Sequence, residues 1–276
     1  MTFILRRTAP FLVDLWHHRE LLWQFTRRNF ELTLKGSHLG LIWSFLNPLL
    51  MLGLYVFVFG FIFGGRFGVI PNETKVDYAL GIFVGLTFFG FIAEVVSMAP
   101  LIITQNPNFV KKVVFPLEIL PAAAVGASVG RMLISLIFAI AGVILLGPGL
   151  HPGLLWLPVI MLPVVLGCLG ASWLISSLGV FIQDISQFMA FLVQIVMFAS
   201  AVFYSAGRIQ EEAPHAWLVL RLNPVLLAIE TARDAALWHQ PVNFRHLGFL
   251  YVAGLLTCYV GYYAFRRMKP AFADVL

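Results

Sequence analysis

Charge is scarce in this chain. Only 11% of its 276 residues are Asp, Glu, Lys or Arg, while 60% are hydrophobic. Ordinary soluble domains carry about 25% charged and roughly 45–50% apolar residues, so that class is excluded and an integral membrane protein remains. Cysteine is nearly missing. Cys168 and Cys258 both sit inside apolar runs, where they read as packing residues and offer neither a disulfide framework nor a thiolate cluster. The seven histidines are scattered over ends and loops without an H-E-x-x-H, which implies no zinc site. The absence of G-x-x-x-x-G-K-[ST] excludes an ATP cradle of the phosphate-loop kind, and no G-x-S-x-G nucleophile elbow occurs. Inside the apolar runs the clear charges are Glu94 and Arg131, too few for membrane-embedded acid–base chemistry. A non-enzyme is therefore expected, with no cofactor or metal in this chain. The first twenty residues lack an apolar core ending at a small-residue cleavage site, so they read as retained.

What is present is a set of long apolar runs. A bilayer span needs about 20 of them in sequence, and six runs qualify: approximately 40–63, 79–102, 119–146, 155–182, 187–206 and 247–265. Helix breakers in "GPGLHPG" part the third from the fourth, and "QDIS" parts the fourth from the fifth. The expectation is an all-α membrane protein. Residues 1–38 form a cytoplasmic N-terminal segment, and 39–276 form a single six-span domain. With the N-terminus inside, eleven of the eighteen basic residues fall on the cytoplasmic side and six on the other, with Arg131 in a span. The positive-inside rule then places both termini in the cytoplasm.

Two segments outside the spans have character. From Leu12, the residues Leu15, Trp16, Leu22, Trp23, Phe30 and Leu34 share an arc of ~120° on a helical wheel. Such a helix suits the cytoplasmic membrane interface, basic side toward anionic lipid, or the surface of another protein. Between 207 and 246, the run from Val225 to Trp238 is too short and charged to span. Asn223-Pro224 sets its start, and it can dip into the membrane and return if its polar groups are covered.

Candidate residues follow. Asn106-Pro107 and Phe115-Pro116 each stop a helix, so "NPNFVKKVVFP" holds about two turns that place Phe109 and Val110 beside Lys111 and Lys112. It suits insertion into a cleft on a partner, or it merely obeys the topology rule. Glu94 and Arg131 lie at estimated depths of roughly 12 and 18 Å. Either they pair across two helices, or one of them lines a polar path. Tyr55, Phe59, Phe188, Phe191 and Phe198 face either a channel for sugar rings or lipid. Small-x-x-x-small pairs at Gly60/Gly64, Gly81/Gly85 and Gly126/Gly130 let helix backbones approach.

The stretches "TRRNFELTLKGSHLGLIWSFLNPLLMLGLYVFVFGFIF" (Thr26 to Phe63), "NPNFVKKVVFPLEILP", "FIQDISQF", "LNPVLLAIETARD" and the ending "FRRMKPAFADVL" carry a resemblance. The chain resembles permease subunits of type-2 ABC exporters of lipid-linked polysaccharide, more the O-antigen branch than the capsule branch, and teichoic acid permeases share much of this pattern. It departs in having Gln183 before Asp184, where the family often has Arg. The resemblance implies a homodimer in the bacterial inner membrane with two separate ATPase subunits. Those subunits, not this chain, would hold ATP and Mg. The N-terminal interface helix and the segment Asn106, Pro107, Phe109, Val110, Lys111, Lys112, Phe115, Pro116 would transmit ATP-driven motion. The first and fifth spans would line the channel, and short re-entrant helices near Trp217 and Val225–Trp238 would face outward. Arg27, Arg28 and Lys35 would meet the lipid pyrophosphate. The expected partners are then a second copy, two ATPases, the glycan and membrane lipids, with no nucleic acid. Alternatives are an ABC permease for teichoic acid, capsule, a small lipid or a drug, and an ion-driven carrier. The carrier would need coupling acids within internal repeats, and no repeat is evident.

Overall fold

The computed structural model describes residues 10–35, 41–111 and 115–276, and among the described residues there is no strand. The helices in chain order are α1 (Pro10–His17), α2 (Arg19–Lys35), α3 (Leu41–Tyr55, continued by a π-helical stretch Val56–Ile62) and α4 (Lys75–Met98, with a 3-10 turn to Leu101). Next come α5 (Pro107–Lys111), α6 (Ile119–Leu146), α7 (Trp156–Phe181) and α8 (Ile185–Ala199). The chain ends with α9 (Ala206–Glu212), α10 (Pro214–Leu220), α11 (Pro224–Ala236), α12 (Phe244–Met268) and α13 (Phe272–Val275). Four stretches are long and apolar enough to cross a membrane: Lys75–Leu101, Ile119–Leu146, Pro152–Phe181 and Phe244–Val275. Leu46–Ile62 and Ile185–Ala199 are shorter apolar helices.

Helix starts follow local capping chemistry. The Thr74 hydroxyl accepts the Asp77 N–H at 3.2 Å, and the Asp77 carboxylate accepts the Thr74 N–H at 2.9 Å, a reciprocal box that opens α4. Asn223 and Asn243 cap α11 and α12 by accepting backbone N–H groups two residues on, each at 3.0 Å. The reading from Leu12 of one continuous amphipathic helix is not what forms. A break falls at His18, between α1 and α2, although the Asp14 carbonyl still accepts the His18 N–H at 3.2 Å and has the His18 ring nitrogen 2.9 Å away. The apolar arc then divides: Leu15 and Leu22 pack inward, while Leu12, Trp16 and Trp23 stay exposed.

Glycines reveal which contacts are tight. A Cβ on Gly126 would sit 2.8 Å from the Thr26 hydroxyl, and one on Gly130 3.1 Å from the Phe30 ring, so α2 lies in a shallow groove along α6. Gly81 and Gly85 serve otherwise. They leave room for the Phe67 ring and the Arg233 guanidinium, each 2.5 Å from the would-be Cβ. True backbone-on-backbone contact occurs between α7 and α12. A Cβ on Gly261 would come within 2.0 Å of the Gly170 carbonyl, on Gly254 within 2.3 Å of Pro163 O, and on Gly170 within 2.2 Å of Thr257 O.

The fifth apolar run, expected to continue to 206, stops as helix at Ala199. Ala201 takes a positive φ of 52°, and Ala201 and Val202 are fully buried. Arg233 of α11 captures this corner. Its Nη1 donates to Ala201 O at 2.7 Å, its Nη2 to Val202 O and its Nε to Gly81 O at 2.8 Å. The Phe67 ring lies 4.3 Å from the guanidinium carbon, and Glu230 sits 3.4 Å from Nη1. Burial lowers Arg233 to about 10 against the pull of Glu230, so the cation persists at neutral pH. Next to it Asp234 is pushed up to about 7, mainly by burial and further by the Glu230 charge, with Arg233 opposing.

Two expectations follow. Gly261→Ala should lower the melting temperature in detergent by the equivalent of roughly 3 kcal/mol, since the methyl meets backbone, whereas Gly248→Ala, whose Cβ meets nothing within 4 Å, should change it little. Between the ordinary carboxylate range and about 7, folded Asp234 holds a proton that the unfolded chain has released, so this group removes stability as pH rises through that window. Asp234→Asn should therefore stabilise the protein at about pH 8, on the order of 1 kcal/mol, and by much less at about pH 5. Thermal melts at the two pH values measure the difference.

Candidate functional site

The segment after the second long helix forms α5, five residues started by Pro107. The Asn106 side chain folds back to donate to Ile102 O at 2.8 Å, holding the turn. Phe109 does not point outward. Its ring packs 5.6 Å from Phe25 of α2 and 4.7 Å from Phe115, with Phe25 and Phe115 5.3 Å apart. This aromatic triad joins the loop to α2, and the surface left exposed is Pro107, Asn108 and Lys111. Val110 and Pro116 are half-buried. Lys112 lies outside the described residues.

Behind the loop the chain is tied to its last helix. Glu118 accepts Lys269 Nζ at 2.8 and 3.0 Å, and its carbonyl accepts the Trp173 indole N–H at 2.9 Å. Phe11 makes edge contacts with Trp173 and Tyr262, both at 6.2 Å, and the Tyr262 hydroxyl donates to Asp14. A cavity of about 400 Å³ opens between α5 and the C-terminal segment, with Phe109, Phe115 and Ala273 on its walls.

The candidate basic cluster is exposed on α2. Arg27 donates to Glu31 at 2.7 Å, a surface pair worth little, and Arg28 lies 4.5 Å over the Phe25 ring. The Lys35 side chain lies outside the described residues.

The five channel candidates divide in two. Tyr55 and Phe59 turn into their own chain, each with its ring 4.6 Å from that of Phe203. Phe188, Phe191 and Phe198 stay exposed along one face of α8. Gln187 and Gln194 share that face, and the sequence signals them only as two polar residues seven apart in an otherwise apolar run.

Glu94 and Arg131 come together. Arg131 Nη2 donates to Glu94 Oε1, which also accepts the Ser128 hydroxyl at 3.0 Å. The side chains are 36% and 17% exposed, so the pair is desolvated only in part. It forms the floor of a cleft of about 730 Å³ between α3, α4 and α6, with Met197 of α8 at its edge.

A family model for ABC-2 type transporters matches residues 20–237, most of the chain. The chain belongs to the ABC-2 type transporter family. The O-antigen export system permease protein RfbA of Klebsiella pneumoniae is 26% identical over 260 residues, covering 93% of this chain and 95% of that protein. The like-named permease of Myxococcus xanthus is 24% identical over 261 residues, covering 95% and 97%. As an ABC-2 permease the chain is a multi-pass inner-membrane transporter subunit, and hydrolysis belongs to a separate ATPase.

Within this ABC-2 permease the paired charges have a measurable cost. Losing one partner of a fully buried pair destabilises by roughly 3–5 kcal/mol, and partial exposure of Glu94 brings that toward ~2. Arg131→Met and Glu94→Gln should each lower stability by about that amount. The double variant should recover part of the loss, as measured by a thermal-shift cycle in detergent.

Proposed function

We propose that two copies of this chain form the membrane channel of an ATP-driven exporter of lipid-linked polysaccharide, O-antigen in kind, from the cytoplasm across the inner membrane. The observation that carries the reading is a likeness, nearly end to end, to proteins named as O-antigen export permeases. Geometry supports it. On α8 an apolar helix keeps Gln187 and Gln194 exposed beside Phe188, Phe191 and Phe198, a mixture poorly suited to lipid and well suited to a second copy and a passing glycan. Six spans then follow, with α3 and α8 as the shorter first and fifth. Pro48 and the π-helical turns of α3 make it the most deformable of them.

In this reading both termini lie in the cytoplasm, and each copy docks one ATPase, which holds ATP and Mg. Residues 1–38 are the N-terminal segment and 39–276 the membrane domain. The exposed edge of α5, Pro107, Asn108 and Lys111, meets the ATPase. The Phe25–Phe109–Phe115 triad passes its motion to α2, whose exposed Trp23 sits at headgroup level together with Leu12 and Trp16 of α1. Arg27, Arg28 and Lys35 attract the lipid pyrophosphate, and α10 and α11 re-enter from the outer side.

A mild-detergent pull-down from native membranes should recover an ATPase with a phosphate-loop motif. Scrambling Pro107–Lys111 should cut that recovery by about tenfold or more while leaving the permease folded. Recovery of no nucleotide-binding partner from intact complexes would contradict the reading and favour an ion-driven carrier.

A further inference from the structure

Gly90 is out of place. On the same helix Gly81 and Gly85 make room for Phe67 and Arg233, yet a Cβ on Gly90 would meet nothing within 4 Å. A glycine inside a helix costs ~1 kcal/mol relative to alanine, and no contact among the described residues requires this one. It stands exposed in the wall of the 730 Å³ cleft, one turn from Glu94. Glu94 adds a second, independent observation. Its Oε1 holds Arg131 and Ser128, while its Oε2 takes no hydrogen bond among the described residues and the side chain is 36% exposed.

From these we infer that the cleft is a binding subsite for an uncharged, hydroxyl-rich stretch of the transported glycan, with Glu94 as its acceptor and Gly90 as the space it fills. The inference rests on the glycan-export reading above. The chemistry selects the ligand. A carboxylate oxygen on the wall of a partly dry cleft accepts sugar hydroxyls, and because Arg131 matches the Glu94 charge the described lining carries no net positive charge to draw in the lipid pyrophosphate. Asn47 and Ser135 on the walls both donate and accept, as a hydroxyl-bearing ring requires. Tyr55, Met51 and Met197 supply apolar surface for the C–H faces of such a ring, the usual division of labour in a pocket. Along α4 the cleft extends from Phe83 to Glu94, about 16 Å of helix, room for more than one ring.

The test uses the full complex in inner-membrane vesicles from cells that make the polymer, with p-benzoylphenylalanine placed at Met51, at Ser135 or at the exposed Ile137. The cell's own lipid-linked polymer is the probe, detected by periodate–hydrazide staining of the permease after irradiation. Carbohydrate should attach at Met51 and Ser135, not at Ile137, and not in vesicles from cells unable to make polymer. Gly90→Phe should reduce polymer at the cell surface about tenfold or more with ATPase recovery and melting temperature unchanged, while Gly248→Phe leaves export as it was. With the same crosslinker placed at the exposed Phe191 of α8, capture there but at neither cleft position would overturn the subsite and keep the export reading. Chain-to-chain adducts from Met51 and Ser135 in place of carbohydrate would overturn it in favour of a second copy filling the cleft. Capture at none of these positions would overturn both.

Discussion

Buried in packed protein a freed backbone carbonyl has no water to turn to, and at one end of this bundle a single guanidinium supplies the donors. Arg233 satisfies Ala201, Val202 and Gly81 at once. Leaving those carbonyls without it would cost about 1–3 kcal/mol each. Much of the surrounding architecture is arranged to make that possible. Gly85 leaves space for the guanidinium, Gly81 for the Phe67 ring that stacks on it, and the Tyr78 hydroxyl fixes the neighbouring Phe203 carbonyl at 2.9 Å. With this corner secured, α8 can end after fifteen residues, and α9 to α11 can fold back as short helices.

The opposite end is built differently. There several ties are side chain to side chain, Lys269 on Glu118, Tyr262 on Asp14 and the Phe25–Phe109–Phe115 triad, beside the Trp173 indole on the Glu118 carbonyl. Side-chain contacts of this kind can exchange partners without exposing backbone, unlike the three carbonyls held by Arg233. Between the two lies the cleft over Glu94 and Arg131, flanked by α3 with its proline and π-helical turns.

The membrane helices were legible because about 20 apolar residues between proline, glycine and polar turns leave few alternatives; the third run, 119–146, coincides with α6. The meeting of Glu94 and Arg131 was legible as one of two readings, since so few charges lie in the spans. The end of α8 was not. Ser200 to Phe203 is nearly as apolar as the helix before it, and the group that stops the helix is more than thirty positions away. Gly81/Gly85 looked like a helix contact because spacing on one helix does not reveal what fills the gap. The real backbone contact, Gly170 against Gly261, joins two helices and has no signature on either. The break between α1 and α2 at His18 has no signature on a helical wheel, which weighs only the direction of side chains.

The most direct measurement of the central claim is transport by the purified permease–ATPase complex in proteoliposomes loaded with the lipid-linked polymer. Crossing would be read as the acquisition of lectin binding on the far leaflet. The account predicts that lectin binding appears only with ATP and Mg, and is lost when the phosphate-loop lysine of the ATPase is replaced. Crossing that needs no ATP, or that follows an imposed ion gradient, would contradict it.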